Sequence, residues 1–402
     1  TNPSWHWPNR QTFRINDNPF LDSDIYIIYI NPNEYGIHQQ QFLDTMLSLH
    51  IKDLKKIKIK PIIIDNLDTI NQYILQNTIT NDIVIDYDNP SITYPFSTKY
   101  IPSWCLIDWT DKIDMIEKWF LPEALRNHKV FKKYVDNNIR DEFNITPKIT
   151  TNTKKLSSTY IIQKEKDYDS ILNQQQLKEI KKVGLNQWIL TQLENTNYIN
   201  DSKWFKPDTC PTTIIMDDSP LLDNQFKTSK LSPYISLGIL SPHKAYIFWN
   251  GEDRMGSGRD QLLFREMFHA CSQMESFWND DFGKSFDWKQ HPTQWQHFID
   301  GTTNHPDLDW AINTLKRDGW IHHLARHLIA DYLTRGKLEI HWKYGMEFFK
   351  QYLIDHDDCV NRGNWMWLSG TAFSTKQRSF YHYNYDNYLK NRNKKLKIKI
   401  PF

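Results

Sequence analysis

"GWIHHLARHLIADYLTRGKLEIHWKYGMEFFKQYLIDHDDCVNRGNWMWLSG" (residues 319–370) carries most of what this sequence says about its fold. Apolar residues recur through it at helical rather than strand spacing, as they do from about residue 176 onward, until "LKIKI" (396–400) alternates. Inside the stretch His323 and His327 stand four apart, which puts both on one helical face. The Glu of a zinc-binding HExxH motif and a third ligand are missing, so a metal is not indicated. A hydrogen-bonded pair in a core is the plain alternative to a catalytic pair.

Upstream the period changes. The β-branched runs "DIYIIYI" (24–30), "KIKPIIID" (58–65) and "NDIVIDY" (81–87) alternate with helical patterns near 37–53 and 68–77, the spacing of β-α-β units and a parallel sheet. A helix-like segment follows at 111–126, and the polar stretch 144–175, with "TPKITTNTKKLSSTY", reads as a linker. The expected organisation is an α/β domain over 1–143, a linker over 144–175 and a helical domain over 176–402.

Composition narrows the classes. Lys+Arg 49 against Asp+Glu 48 gives a net charge of +1, which excludes a uniformly cationic nucleic-acid coat and leaves only local patches. One such patch is the run Lys390, Arg392, Lys394, Lys395, Lys397 and Lys399, suited to DNA phosphates, a nuclear address or a solvated end. Cys105, Cys210, Cys271 and Cys359 lie far apart with no CxxC, which argues against a disulfide framework or zinc ribbon and for a reducing compartment. No apolar run reaches the roughly 18 residues of a membrane span, so a soluble intracellular protein is expected. "MGSGRDQ" (255–261) lacks the third glycine and the preceding strand of a dinucleotide fingerprint. Sixteen Trp in a chain 14% aromatic mark large rings as residues to follow by position.

Two helix starts are announced by Ser232-Pro233 and Ser241-Pro242, each an N-cap hydroxyl before Pro at the first helical position. Around the first, Thr228, Ser229 and Ser232 offer hydroxyls to an anion, or simply cap the helix.

Four segments in order resemble the photolyase/cryptochrome family, nearer its (6-4) photolyases and animal-type cryptochromes than its cyclobutane-dimer enzymes. "RINDNP" (14–19) looks like the N-terminal signature and "TSKLSPYISLGILS" (228–241) like the FAD-phosphate loop. "QLLFREMF" (261–268) looks like the Leu-Trp-Arg-Glu helix, and the 319–370 stretch like the flavin-binding core. The resemblance implies an α/β N-terminal domain with a Rossmann-like parallel sheet and an all-α C-terminal FAD-binding domain. It implies FAD held by Thr228, Ser229, Lys230, Leu231, Ser232, Arg265, Arg326, Asp355, Asp357 and Asn361, with Arg326 paired to Asp355 and Asn361 facing the flavin. Trp365, Trp342 and Trp288 match an electron-transfer series running outward from the flavin, although three core tryptophans remain the alternative.

The implied activity is light-driven repair of UV-damaged DNA by electron transfer from excited reduced FAD to a flipped-out lesion, the (6-4) photoproduct favoured. His323 and His327 would move its proton, and Gln261, Phe264 and His323 would line the lesion pocket. Phe264 replaces the family's usual Trp, a smaller wall for stacking. Part of the family's further C-terminal cover is expected to be missing or rebuilt by "YHYNYDNYLKNRNKKLKIKI" (381–400). Repair of cyclobutane dimers, a cryptochrome-type light sensor without repair, and a generic helical nucleotide-binding protein are the rivals. A monomer is expected, and an antenna chromophore is left open.

Overall fold

The computed structural model describes residues 13–15, 18, 21, 26–31, 33–66, 68–69, 72, 76, 83–86, 98–101, 105–109, 111–120, 128–140, 158–162, 172–196, 229–249, 258–279, 282–283, 285–321 and 323–373. Thr228, the basic run 390–399, the alternating "LKIKI" and most of the 144–175 linker fall outside them.

Near the N-terminus β1 (Ile27–Tyr29) pairs in parallel with β2 (Ile62–Ile64), Ile27 opposite Ile62. Parallel strands need a crossover, and α1 (Ile37–Lys56) supplies it, burying Phe42, Leu43, Met46, Leu47 and Leu54. Both strands are shorter than their β-branched runs. The β2 ladder begins only after Pro61, which has no N–H to contribute. A second parallel pair joins β3 (Ile83–Asp86) to β4 (Thr98–Ile101), a strand whose "TKYI" carries no clear alternation. The parallel sense agrees with the β-α-β expectation. Among the described residues, however, the sheet is two separate pairs rather than one continuous Rossmann-like sheet. The helices α2 (Ile113–Phe120) and α3 (His128–Asn138) follow, the former inside the expected 111–126, of which 121–126 lie outside the described residues.

The rest of the described chain is helical. A capping box of Asn173 and Gln176 starts α4 (Gln174–Val183), and Gly184, at φ 98, turns it into α5 (Leu185–Glu194). Then come α6 (Ser232–Ser236), α7 (Pro242–Phe248), α8 (Gly258–Cys271), α9 (Pro292–Asp300) and α10 (Pro306–Asp318). The 319–370 stretch becomes α11 (His323–Asp331) with a π-helical turn at Tyr332–Gly336, α12 (Trp342–Tyr352) and α13 (Asp358–Ser369). The three helices α8, α11 and α12 all pack on α13, which is therefore the axis of this part. No helix among the described residues is long and apolar enough to cross a membrane.

The strand-bearing part is fastened to the helical part by polar contacts, most of them buried. Arg14 donates to the Gly238 carbonyl at 3.0 Å and Gln39 to the His356 carbonyl at 2.7 Å. Asp53 accepts from Asn186 N at 3.0 Å, and Asp136 from Tyr246 and Arg259. Glu266 on α8 collects three donors with one oxygen: Leu106 N at 3.0 Å, Ile107 N at 3.1 Å and Trp109 Nε1 at 2.6 Å. Burial pushes its carboxyl above the usual range even against those donors.

Candidate functional site

The loop entering α13 presents three carboxylates in four residues, and each meets a different set of partners. Asp355 Oδ2 accepts from Ser232 Oγ at 2.6 Å and from Arg326 Nη2 at 3.0 Å. Ser232 is thus not the N-cap of α6. It lies in the first turn, behind Leu231, and its hydroxyl turns to an acid on another element. The Ser-Pro signal located the helix but not the partner, because a charge-assisted bond to a carboxylate outweighs a neutral local cap. The second signal behaves as read, with Ser241 Oγ accepting from Lys244 N at 3.4 Å.

Asp357 caps α13, accepting from Val360 N at 3.1 Å. Its Oδ2 also lies 3.1 Å from His269 Nε2 and 3.8 Å from Arg265 Nη2, both on α8 one turn apart. Asp358 faces away, to His356 Nε2 at 2.9 Å and Lys350 Nζ at 3.4 Å. Burial pushes its carboxyl up, and the His356 and Lys350 charges outweigh that and hold it below the usual carboxylate range. One turn into α13, the buried Asn361 donates to the Met346 carbonyl at 2.9 Å, which fixes its amide against α12.

The remaining nominated residues surround this loop. Ser229 Oγ accepts from Leu231 N at 3.3 Å. Lys230 takes a left-handed φ of 50 and sets its ammonium 5.4 Å from the Trp320 ring centroid. On α8, Gln261 is exposed and Phe264 half-buried, one turn apart. Phe264 meets Trp367 at 5.0 Å between ring centroids, so the smaller ring is backed by an indole that sequence reasoning did not single out. His327 is half-buried on α11, whereas only the backbone of His323 is described.

Trp365 and Trp342 are fully buried, and their indole N–H groups have no hydrogen-bond partner. Trp365 lies on Gly345, where a Cβ would overlap its ring, and meets Phe349 at 5.0 Å. His341 bridges outward from Trp342, at 5.2 Å, to the half-buried Trp288, at 5.1 Å. The structure thereby joins Trp342 to Trp288 through one imidazole and packs Trp365, from α13, against Gly345 of α12, the helix that begins with Trp342.

Sequence reasoning missed His269, Cys359 and Arg362. His269 was detectable as the residue one turn beyond Arg265, but its acid lies on another helix. His269, Asp357 and Cys359 bring ligand atoms within 4.8 Å of one another, all buried. The Arg265 guanidinium beside the same Asp357 oxygen opposes a divalent cation there, so the trio works as an ion-pair cluster.

Comparison with known proteins fits this arrangement. Residues 258–395 match the FAD binding domain of DNA photolyase. A (6-4)DNA photolyase of Oryza sativa is 35% identical over 169 residues, 39% of this chain and 30% of that protein. One of Arabidopsis thaliana is 32% identical over 205 residues, 47% of this chain and 34% of that protein. Cryptochrome-1 of Macaca fascicularis is 34% identical over 164 residues, 38% of this chain and 28% of that protein. The chain's match therefore spans about a third of each relative's length. Among solved structures, an archaeal photolyase from Sulfolobus tokodaii with two FAD molecules superposes with a TM-score of 0.65 at 18% identity, over 97% of this chain and 88% of that one. A Synechocystis cryptochrome gives a TM-score of 0.64 at 19% identity, over 98% of this chain and 89% of that one. Residues 258–395 are thus similar to the FAD-binding domain of DNA photolyases, and the backbone has the photolyase and cryptochrome fold.

Proposed function

We propose that the protein is a light-driven DNA-repair flavoprotein acting on the (6-4) photoproduct. The observation that carries the flavin part is Asp355, whose Oδ2 is held by Ser232 and Arg326 while its buried Oδ1 has no partner. A buried carboxylate oxygen without a donor is costly, and a ligand bearing hydroxyl or imide donors removes that cost. FAD fits. Ser232 bonds Asp355, and Ser229 and Lys230, just before it in the chain, suit the phosphates, while the buried Asp357 and Asn361 suit the ring. When bound and reduced, FAD supplies one electron on absorbing light.

The chain's own residues do the rest. Arg326 neutralises Asp355 and fixes it, and Arg265 and His269 hold Asp357 in place. Asn361, an amide rather than an acid, holds a hydrogen-bonding group near the ring without offering a carboxylic proton. Trp288, Trp342 and Trp365 deliver electrons from the half-buried end inward. His327, with His323 one turn earlier, protonates the lesion so that a hydroxyl returns between the two bases, a step that splitting a cyclobutane ring does not need. Gln261, Phe264 and Trp367 form the wall against which a flipped dinucleotide rests.

Sensing without repair is the second reading, favoured by the 34% identity to Cryptochrome-1 of Macaca fascicularis, close to that of the photolyases. One assay decides between them: chemically reduced, FAD-loaded protein is illuminated with oligonucleotides carrying either lesion. Restoration of the (6-4) product, lost in His327→Ala with flavin content unchanged, is the expected result. Restoration of the cyclobutane dimer alone promotes the other photolyase reading, and restoration of neither promotes the sensor.

A further inference from the structure

We propose that Arg362 makes Trp342 a high-lying relay in the tryptophan series, so that an oxidised indole never rests there. Arg362 is 5% exposed and its guanidinium carbon sits 4.8 Å from the Trp342 ring centroid, while Trp342 itself is fully buried. The cation is held rigidly, Nε donating to the Phe277 carbonyl at 2.7 Å and Nη2 to the Asn279 carbonyl at 2.9 Å. Phe277 and Trp278 close over it at 5.9 and 5.8 Å. A cation over a neutral indole face is attracted by the ring, whereas the same cation repels an indole that has lost an electron. Both effects raise the cost of oxidising Trp342, and water does not screen either.

The inference rests on the electron route proposed above. In it Trp365 gives one electron to the light-excited oxidised flavin, Trp342 refills Trp365, and Trp288 refills Trp342. The vacancy ends on half-buried Trp288, where an external thiol reductant closes the balance. With Trp342 raised, the vacancy passes over it to Trp288 and meets a barrier to return. Arg362 acts through Trp342 and is a positioning residue in this sense.

The test uses FAD-loaded, oxidised full chain and transient absorption of indole radicals. With Arg362 in place, Trp288→Phe should recombine as fast as Trp342→Phe, because the vacancy has nowhere beyond Trp365 to stay. Adding Arg362→Gln to Trp288→Phe should lengthen the charge-separated lifetime roughly tenfold or more, and Arg362→Lys should restore the short lifetime. A long-lived radical on Trp342 in Trp288→Phe alone overturns the proposal, and that comparison needs no Arg362 variant to fold. Equal lifetimes with Arg, Gln and Lys overturn it as well. A flavin-free readout runs beside these: the near-ultraviolet difference between parent and Arg362→Gln apoprotein should shrink when both carry Trp342→Phe, the remainder coming from Trp278, and a difference that Trp342→Phe leaves wholly unchanged counts against the proposal. Photoreduction that survives Trp365→Phe removes the route itself, a failure visible without any change at Arg362.

Discussion

From residue 14 to α3 several polar side chains, most of them buried, reach across to the helical part, whereas between α8 and α13 they mostly find one another. Arg14, Gln39, Asp53 and Asp136 all bond residues beyond 185. Asp355, Asp357 and Asp358, by contrast, are answered by Arg326, by Arg265 and His269, and by His356 and Lys350. The difference teaches that the strand-bearing part is a brace, and that the helices around α13 organise their own chemistry. Glu266 breaks the pattern, since it belongs to α8 but accepts from three donors of the 105–109 segment.

That exception gives the largest expected effect. Glu266→Ala removes the acceptor of three buried N–H groups and should cost ~3 kcal/mol or more, read as a lowered denaturant midpoint. Glu266→Gln keeps an acceptor oxygen and should lose clearly less. If the helical part is as self-contained as its ion pairs suggest, FAD absorbance in Glu266→Ala at low denaturant should persist after the 105–109 segment loosens. Simultaneous loss of both signals would break the comparison. Next in size, Gly345→Ala drives a methyl into the Trp365 ring and should cost about 1–3 kcal/mol as an overpacked core. It should also impair photoreduction, because Trp365 must shift.

Much of this was legible in the sequence where short-range physics decides. The β-branched runs located β1, β2 and β3, and helical period located α11 to α13, because burial of one face writes a repeat into the chain. The 3–4-residue length of the strands and the presence of β4 were not legible, since pairing depends on a neighbour remote in sequence. At the site, motif positions brought Arg326 to Asp355 and Arg265 near Asp357. His269, Trp367 and Arg362 escaped because their partners sit on other helices. Ser232 shows the same limit at one residue: its local role as a cap was overridden by a tertiary acid.

Asp358 offers a smaller effect with a definite sign. Its folded carboxyl is held below the ordinary 3.8 by His356 and Lys350, against the upward push of burial. The carboxylate therefore stabilises the fold fully above that ordinary value, and the contribution fades as pH falls below it. Denaturation of parent and Asp358→Asn should differ by a constant amount near neutrality, with the gap closing as pH drops beneath about 4. A gap that widens on acidification would reverse the assignment. Because this pair faces away from the Asp355 and Asp357 partners, flavin affinity should stay unchanged in the variant, which sharpens the separation between bracing and site-forming acids.

The smallest effect falls on the residue that ties α6 to the loop before α13. Ser232 is exposed, and its hydroxyl donates to Asp355 Oδ2 at 2.6 Å, sharing that oxygen with Arg326. Removing it in Ser232→Ala leaves the carboxylate one donor, so the acid is less firmly placed and less fully stabilised. The loss should be about 1 kcal/mol in FAD affinity, the size of one hydrogen bond, or roughly a fivefold rise in Kd. Thermal stability should hardly move, since α6 keeps Leu231 as its N-cap with or without the hydroxyl. That split tells the two roles of Ser232 apart: a local cap would show in stability first, whereas a brace for Asp355 shows in affinity first. Asp355→Asn provides the control, because it retains an acceptor for Ser232 while removing the charge that Arg326 meets, and its affinity loss should exceed that of Ser232→Ala.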